Sequence, residues 1–108
     1  MANRWIEIFD GDNHGGEGWE YGTCLWSPIK DRGNAKRYEL MQEPQKGEIV
    51  LHFTMQKLEG SKPSRCYSGY SYVKKKCTIV NEEPPDPGRY GGMGSYYRIE
   101  LEGYKNFD

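Results

Sequence analysis

The alternation of apolar and polar positions along the chain predicts short β-strands. In Arg4–Phe9 (RWIEIF), Trp5, Glu7 and Phe9 lie on one face of an extended segment, and Ile6 and Ile8 lie on the other. Further segments are rich in β-branched and aromatic residues, so they predict strands as well. These segments are 19–28, which is short and irregular, 48–54, 66–74, 77–80 and 96–101. The pattern therefore predicts five or six strands.

Only one segment has the character of a helix, and two segments are long loops. Asn34 can cap a helix over Asn34–Met41 (NAKRYELM), and Pro44 would end it. Residues 10–18 and 82–94 are rich in glycine or proline, so both predict loops, and 57–65 and 103–108 predict a polar loop and a terminal turn. Together these elements predict an α+β, β-rich domain. It would be a small curved sheet or pseudo-barrel with one or two short helices.

Length and composition place the chain among small intracellular domains. With 108 residues, we expect a single binding domain over 1–108 that serves as a module of a larger protein. Three cysteines at irregular spacing favour a reducing compartment over a disulfide scaffold. No segment approaches the roughly 18 apolar residues of a membrane span. These features predict a soluble, cytoplasmic protein with no membrane partner.

Charge is distributed unevenly along the chain. The net charge is −1, but residues 30–76 contain eleven basic and five acidic residues, while acidic residues outnumber basic ones on both sides. A basic middle segment between acidic ends predicts a polarised surface that could contact phosphates. The alternative is that these cations only solvate an exposed face. The sequence leaves both interpretations open.

Motifs of enzymes and metal sites are missing from the sequence. There is no phosphate-binding glycine loop followed by lysine and no G-x-S-x-G nucleophile motif. The cysteines and histidines do not have the spacing of metal ligands. Cys24 or Cys66 could in principle act as a nucleophile with His52 as its base, but nothing local supports that pairing. We therefore expect no catalytic activity, no metal and no cofactor.

Aromatic residues and one small-residue strand suggest a site for a flat ligand. Nine tyrosines, three tryptophans and three phenylalanines are more than a small core needs, so some must line a surface or cavity. Alternation places Tyr67, Gly69, Ser71 and Val73 on one face of their strand. If that face is internal, Gly69 and Ser71 predict a hollow beside them. A bulge at Gly69, or a large side chain from elsewhere, is the alternative.

The order of short motifs resembles the EVE-like branch of the PUA-like superfamily. The motifs are LWSP (25–28), KGEIVLHF (46–53), YSGYSYV (67–73) and YYRIEL (96–101) followed by YKNF, and they span nearly the whole chain. The resemblance is greatest to domains that recognise modified bases in modification-dependent restriction systems of the McrBC or EVE–nuclease kind. It implies a curved, barrel-like sheet that takes a flipped nucleotide into an aromatic pocket. Tyr67, where an aliphatic residue is common, and the long loop before Tyr96 depart from the pattern.

The resemblance also implies which residues bind DNA. The base pocket would consist of Trp26, Ser27, His52, Phe53, Tyr67, Gly69 and Ser71, with Trp26 and Phe53 stacking on the base and the serines reading its edge. Phosphate contacts would come from Lys30, Arg32, Lys36, Arg37, Lys74, Lys75 and Lys76. The expected partners are DNA carrying a modified base and a fused or associated nuclease or NTPase. An RNA-binding PUA-like module and a carbohydrate-binding β-module are alternatives, and Trp26 could instead be a core residue.

Overall fold

Six β-strands form a single sheet that curls into a half-barrel. The structure is a computed structural model that describes residues 3–9, 15–30, 33, 38–57 and 63–107. The strands are β1 (Arg4–Phe9), β2 (Cys24–Pro28), β3 (Ile49–Lys57), β4 (Pro63–Val73), β5 (Thr78–Val80) and β6 (Tyr96–Asn106). About half of the described residues lie in these strands. The prediction of a small, β-rich domain with a curved sheet is confirmed.

The strand order is β1-β3-β4-β6-β2, with β5 paired beside β6. β1 and β3 are parallel, and every other pair is antiparallel. The long strand β6 organises the sheet, because it pairs with β2 along one edge and with β4 and β5 along the other. Two strands far apart in the sequence, β2 and β6, therefore lie side by side.

The inner face of the sheet carries the hydrophobic core. Alternate residues of four strands meet there, and Val50, Val73 and Ile99 have no exposed surface. The core cluster as a whole is Leu25, Val50, Val73, Ile99 and Leu101, with Trp5, Met41 and Cys77 packed against it. Five aliphatic side chains make a small core, so polar groups occupy the rest of this face.

The predicted helix is not an α-helix where the structure describes it. Residues 34–37 lie outside the described residues, and the remainder forms a 3₁₀ turn at Glu39–Gln42. No side chain caps this turn at Tyr38, and Pro44 follows shortly after it, so the segment has little to support a longer helix. A second 3₁₀ turn spans Gly88–Tyr90. No helix within the described ranges is both long and apolar enough to cross a membrane.

Several predicted strand boundaries were wrong. β6 does not end at Leu101 but continues to Asn106, because Gly103, at φ +69°, forms a bulge instead of a chain reversal. The predicted polar loop 57–65 is also shorter than expected, since β3 extends to Lys57 and β4 begins at Pro63. A glycine or a polar run signalled a turn in the sequence, but pairing with a neighbouring strand kept the backbone extended.

A buried carboxylate joins the start of β3 to the start of β1. Glu48 is 6% exposed and accepts hydrogen bonds from the Trp5 indole N–H (2.9 Å), the Gln45 backbone N–H (2.7 Å) and the Asn3 backbone N–H (2.7 Å). These donors favour the ionised carboxylate, so they lower the pKa of Glu48 below its ordinary value of 4.5. The interaction fixes the position of the edge strand β1.

Glu48→Gln should destabilise the protein at neutral pH and remove part of its acid sensitivity. Because the folded-state pKa is lowered, Glu48 stabilises the fold above pH 4.5, and this contribution is lost as the pH falls through the folded-state pKa. The difference in urea midpoint between wild type and Glu48→Gln should therefore be largest at pH 7 and shrink toward pH 3. Trp5→Phe removes one of the three donors to Glu48. In a Trp5→Phe background, Glu48→Gln should therefore lower the urea midpoint at pH 7 by less than it does in wild type. If the difference in urea midpoint between wild type and Glu48→Gln is the same at pH 7 and pH 3, this explanation is wrong.

Candidate functional site

A buried histidine occupies the centre of the inner face. His52 has no exposed surface, its Nδ1 lies 2.7 Å from Glu7 Oε1, and its Nε2 lies 2.7 Å from Ser71 Oγ. The Ser71 hydroxyl also lies 3.1 Å from the Gly22 carbonyl oxygen. Since an ionised carboxylate can only accept, Nδ1–H donates to Glu7. The chain of hydrogen bonds links β1, β3, β4 and the loop before β2.

Two tyrosine rings complete the packing around His52. The Tyr21 and Tyr104 rings lie 5.2 and 5.5 Å from the imidazole, measured between centroids, and 5.9 Å from each other. The Tyr21 hydroxyl is hydrogen-bonded to the Ser68 hydroxyl, and burial raises the pKa of Tyr21 to about 12. His52 and its covering rings therefore form a closed polar cluster.

The predicted hollow beside Gly69 and Ser71 is filled, so that prediction was wrong. A Cβ atom at Gly69 would overlap the Lys105 carbonyl oxygen and lie 2.9 Å from the Tyr104 hydroxyl. Ser71 has no exposed surface and bonds to His52. The two small residues are needed because the His52 imidazole and the Tyr104 ring occupy the space above them. This is the alternative of a large side chain from elsewhere.

The order carboxylate, imidazole, hydroxyl in Glu7, His52 and Ser71 is that of an acid–base relay. A nucleophile must also reach a substrate, and the Ser71 hydroxyl is completely buried. In this arrangement the Ser71 hydroxyl cannot attack the carbonyl or phosphate group of an external molecule. It instead satisfies the polar groups that the small core has to enclose.

Phe53 and Tyr67 lie on the opposite, outer face of the sheet. The register shifts between His52 and Phe53, so Ser68 is an extra residue and the simple alternation in β4 is interrupted. As a result Tyr67 is 48% exposed, whereas Gly69 is buried. The Phe53 and Tyr67 rings contact each other at a centroid distance of 5.0 Å. The prediction that Tyr67 shares a face with Gly69 was therefore wrong.

Trp26 is the centre of a second group of aromatic residues, again on the outer face. Its cross-strand partner is Arg98, which alternates with the core residue Ile99 and so points away from the core. The Trp26 ring makes edge contacts at 5.9–6.1 Å with three other rings, and one of these, Tyr90, contacts a fourth at 6.4 Å. We refer to the group Trp19, Trp26, Tyr38, Tyr90 and Tyr96 as the Trp26 cluster.

The two glycine-rich loops meet at the Trp26 cluster. The Asp86 N–H donates to the Gly15 carbonyl oxygen at 2.8 Å, and Gly15, at φ +77°, comes so close to Trp26 that a Cβ atom would lie 3.0 Å from the indole nitrogen. The buried Tyr96 hydroxyl donates to the Tyr90 carbonyl oxygen at 2.6 Å. Trp19 and Tyr96 form the buried base of the cluster, while Trp26, Tyr38 and Tyr90 remain partly exposed.

Two arginines lie against the rings of this cluster. The Arg98 guanidinium is 4.3 Å from the centre of the Trp19 ring, and it donates to the Gly18 carbonyl oxygen at 2.8 Å. The Arg89 guanidinium is 5.3 Å from the centre of the Tyr90 ring. Both are cation–π contacts. The Glu83 carboxylate also lies beside the cluster, with its Oε1 3.1 Å from the Tyr96 hydroxyl. The cluster thus has partly exposed aromatic rings with charged groups of both signs next to them.

Four of the seven predicted phosphate-binding residues are described, and they lie near the two ends of β2. Lys74, Lys75 and Lys76 are exposed, and Lys75 Nζ lies 3.8 Å from Glu100 Oε2, beside the start of β2. Lys30 is exposed two residues beyond the end of β2. Trp26 is the middle residue of that strand. The other three predicted residues, Arg32, Lys36 and Arg37, lie outside the described residues.

Cys24 does not form a nucleophile with His52, and the predicted alternative, the Cys66 side chain, lies outside what the structure describes. Both His52 nitrogens are bonded to other groups, and Cys24 is buried on the outer side of β2. Burial raises the pKa of Cys24 to about 11 and also raises the pKa of Cys77. Their thiols are therefore protonated at neutral pH. Among the residues that the structure describes, no three His, Cys, Asp or Glu side chains come together as metal ligands.

Comparison of the chain with protein-family models, curated proteins and solved structures found no match in any of the three. The geometry of the site is therefore the basis for assigning a function.

The seven predicted pocket residues occupy four separate places. His52, Gly69 and Ser71 form the closed inner cluster, Phe53 and Tyr67 form the outer pair, and Trp26 belongs to the Trp26 cluster. Ser27 points to the inner face, is 9% exposed, and has no hydrogen-bond partner among the described residues. The sequence missed Trp19, Tyr38, Tyr90, Arg89 and Arg98. The signal for two of them was present, since Arg89 and Tyr90 lie in a long loop that the sequence singled out as functional.

Gly69→Ala distinguishes a filled inner face from a hollow one. Alanine normally suits a strand better than glycine does, so in a hollow the substitution would be neutral or stabilising. Because the new methyl group would overlap backbone of β6, we expect a loss of about 1–3 kcal/mol in the free energy of unfolding, measured by urea denaturation. Gly92→Ala shows the cost of backbone strain alone, because Gly92 has φ +76° and open space around it, and it should lose about 1–2 kcal/mol. Gly69 has no positive φ, so a loss at that position comes from overlap and not from backbone strain. A Gly69→Ala variant as stable as wild type would mean that the space is empty.

Proposed function

We propose that the chain is a non-catalytic nucleic-acid-binding module that recognises a modified, methylated base in DNA. In this proposal the base is flipped out of the duplex and stacks on the Trp26 cluster, and the module is the specificity domain of a restriction system. The resemblance of the sequence motifs to EVE-like, PUA-like domains motivates the proposal. The structural observation that carries it is the partly exposed Trp26 ring, with Tyr90 and Tyr38 beside it and two guanidinium groups on neighbouring rings.

Aromatic side chains and arginines together suit nucleic acid better than a neutral sugar. Each base presents a flat π face to an aromatic ring, and arginine contacts phosphate with two parallel N–H donors. Both features occur here within one cluster. Exposed Lys30 lies two residues beyond the end of β2, and exposed Lys75, which pairs with Glu100, lies one strand away from its start. A carbohydrate-binding site would use the rings but would have no need of these cations.

The free energy of stacking on the Trp26 cluster is comparable to the cost of flipping a base out of a duplex. Extruding a base from a duplex costs a few kcal/mol, and this cost is lower for an already weakened pair. Stacking contributes roughly 1–3 kcal/mol per base, so Trp26 with one neighbouring tyrosine offsets most of the cost. A methyl group adds only about 1 kcal/mol of apolar contact, about a fivefold preference. We therefore expect modest discrimination, and phosphate contacts supply the remaining affinity.

Trp26→Ala should abolish most of the binding to methylated DNA. We expect wild-type protein to bind a fluorescein-labelled methylated duplex about fivefold more tightly than the unmodified duplex in fluorescence anisotropy, with affinity falling as salt increases. Trp26→Ala should weaken that binding by about 1–3 kcal/mol, or roughly 5- to 150-fold. Tyr90→Ala should act in the same direction. Tyr72→Ala, on the outer face of β4 and 40% exposed, is the matched aromatic control and should bind like wild type.

Equal binding of methylated and unmodified duplexes by the wild-type protein would refute base recognition. Unchanged binding by Trp26→Ala would refute the location of the site. Structured RNA that displaces methylated DNA at equal concentration would instead favour the RNA-binding alternative. Circular dichroism of each variant checks that a loss of binding is not a loss of folding.

A further inference from the structure

The outer face of β1, β3 and β4 is an exposed sheet of apolar side chains. The strand registers align three rows across it: Arg4, Ile49 and Tyr72; Ile6, Leu51 and Tyr70; Ile8, Phe53 and Tyr67. The Phe107 ring contacts Tyr70 at 5.5 Å, measured between centroids, and so extends the face. We refer to the apolar residues of these rows and Phe107 as the outer patch. It shares no residue with the Trp26 cluster.

The outer patch is as large as the largest apolar patch of a typical monomer, which is often a functional surface. Exposure is 55% for Ile6, 80% for Ile8, 48% for Tyr67, 40% for Tyr72 and 47% for Phe107. At 150–250 Å² for a large side chain, these five alone leave on the order of 500 Å² of side-chain surface in water. A monomer rarely exposes more than a few hundred Å² in one apolar patch. A standard interface buries about 800 Å² per partner, so this face approaches that size once its half-buried members are added.

The charges at the two ends of the first row are complementary to a second copy of the same face, while the second row ends in exposed Lys105, the partner of Tyr70. The first row continues into β6, where Tyr72 pairs with Glu102, so this row has exposed Arg4 at one end and exposed Glu102 at the other. Three strand spacings of about 4.8 Å separate them. A two-fold axis that runs between the two sheets, parallel to their strands, would reverse the order of the residues along this row in the second copy. It would place Arg4 of each copy against Glu102 of the other, and Ile49 against Tyr72.

We infer that the protein forms a symmetric homodimer by packing the outer patches of two copies face to face. The two sheets pack aligned, as in β-sandwiches, and the apolar rows form a shared core. The interface is isologous, since each contact occurs twice, and the two Arg4–Glu102 pairs fix its orientation. The dimer leaves both Trp26 clusters outside the interface residues, so it does not depend on the proposed function.

Ile8→Lys tests the interface directly. In sedimentation velocity, wild-type protein should show a mass approaching twice the 12.5 kDa of one chain as its concentration rises into the micromolar range. Ile8→Lys places a charge in the apolar interface and should raise the dimer dissociation constant at least tenfold. Ile79→Lys is the matched control, because Ile79 is 57% exposed but lies on β5, outside the patch, and its variant should dimerise like wild type. A wild-type protein that stays monomeric, or a dimer that Ile8→Lys leaves intact, would overturn the inference.

Charge reversal tests the orientation. Arg4→Glu and Glu102→Arg should each weaken dimerisation about two- to fivefold, because each sets like charges against each other, and the double variant should restore it. Failure of the double variant to restore dimerisation would overturn the parallel axis. Both residues are exposed in the single chain, so these substitutions leave the monomer folded.

Discussion

The hydrogen bonding of one buried imidazole constrains the rest of the structure. His52 lies in a core of few aliphatic side chains, where an unpaired ring nitrogen would cost several kcal/mol. Its two partners come from different strands, Glu7 from β1 and Ser71 from β4. Because side chains alternate between faces, a slip of one residue in either strand would move a partner to the outer face. The imidazole therefore fixes the register of three neighbouring strands at once.

Closing the inner face around His52 determines where a ligand can bind. Tyr21 and Tyr104 cover the imidazole. Gly69 has no side chain, which leaves room for the Tyr104 ring and the backbone of β6. Around His52 the concave side thus holds side chains of the protein itself, and an apolar groove of about 250 Å³ remains beside Trp5, Leu25 and Val50. A second set of partly exposed aromatic rings lies on the other side, where the two long loops meet Trp26. The loops are held there by the contact of Gly15 with Asp86 and by the Tyr96 hydroxyl.

The abundance of aromatic residues follows from the same division into two faces. The small core uses few of the tyrosines, so the remainder either cover His52, form the Trp26 cluster or lie in the outer patch. The last two surfaces differ in chemistry. The Trp26 cluster has two guanidinium groups beside its rings. The outer patch is apolar, with Arg4 and Glu102 at the ends of its first row and Lys105 at one end of its second. A sheet this small can present both the Trp26 cluster and the outer patch because its core uses only a few aliphatic residues.

The sequence by itself determined the position of β1, where β3 and β6 begin, the placement of Gly69, Ser71 and Val73 on one face of their strand, and the excess of aromatic residues over what a core requires. All of these follow from local alternation and composition. Tertiary structure alone decided what lies opposite Gly69, which loops approach Trp26, and that Arg98 stacks on Trp19, 79 positions away in the sequence. It also decided that the bulge at Ser68 turns Tyr67 outward. The physical reason is that alternation along a strand places its side chains on two faces. Only pairing with distant strands determines which face is buried and where the register shifts.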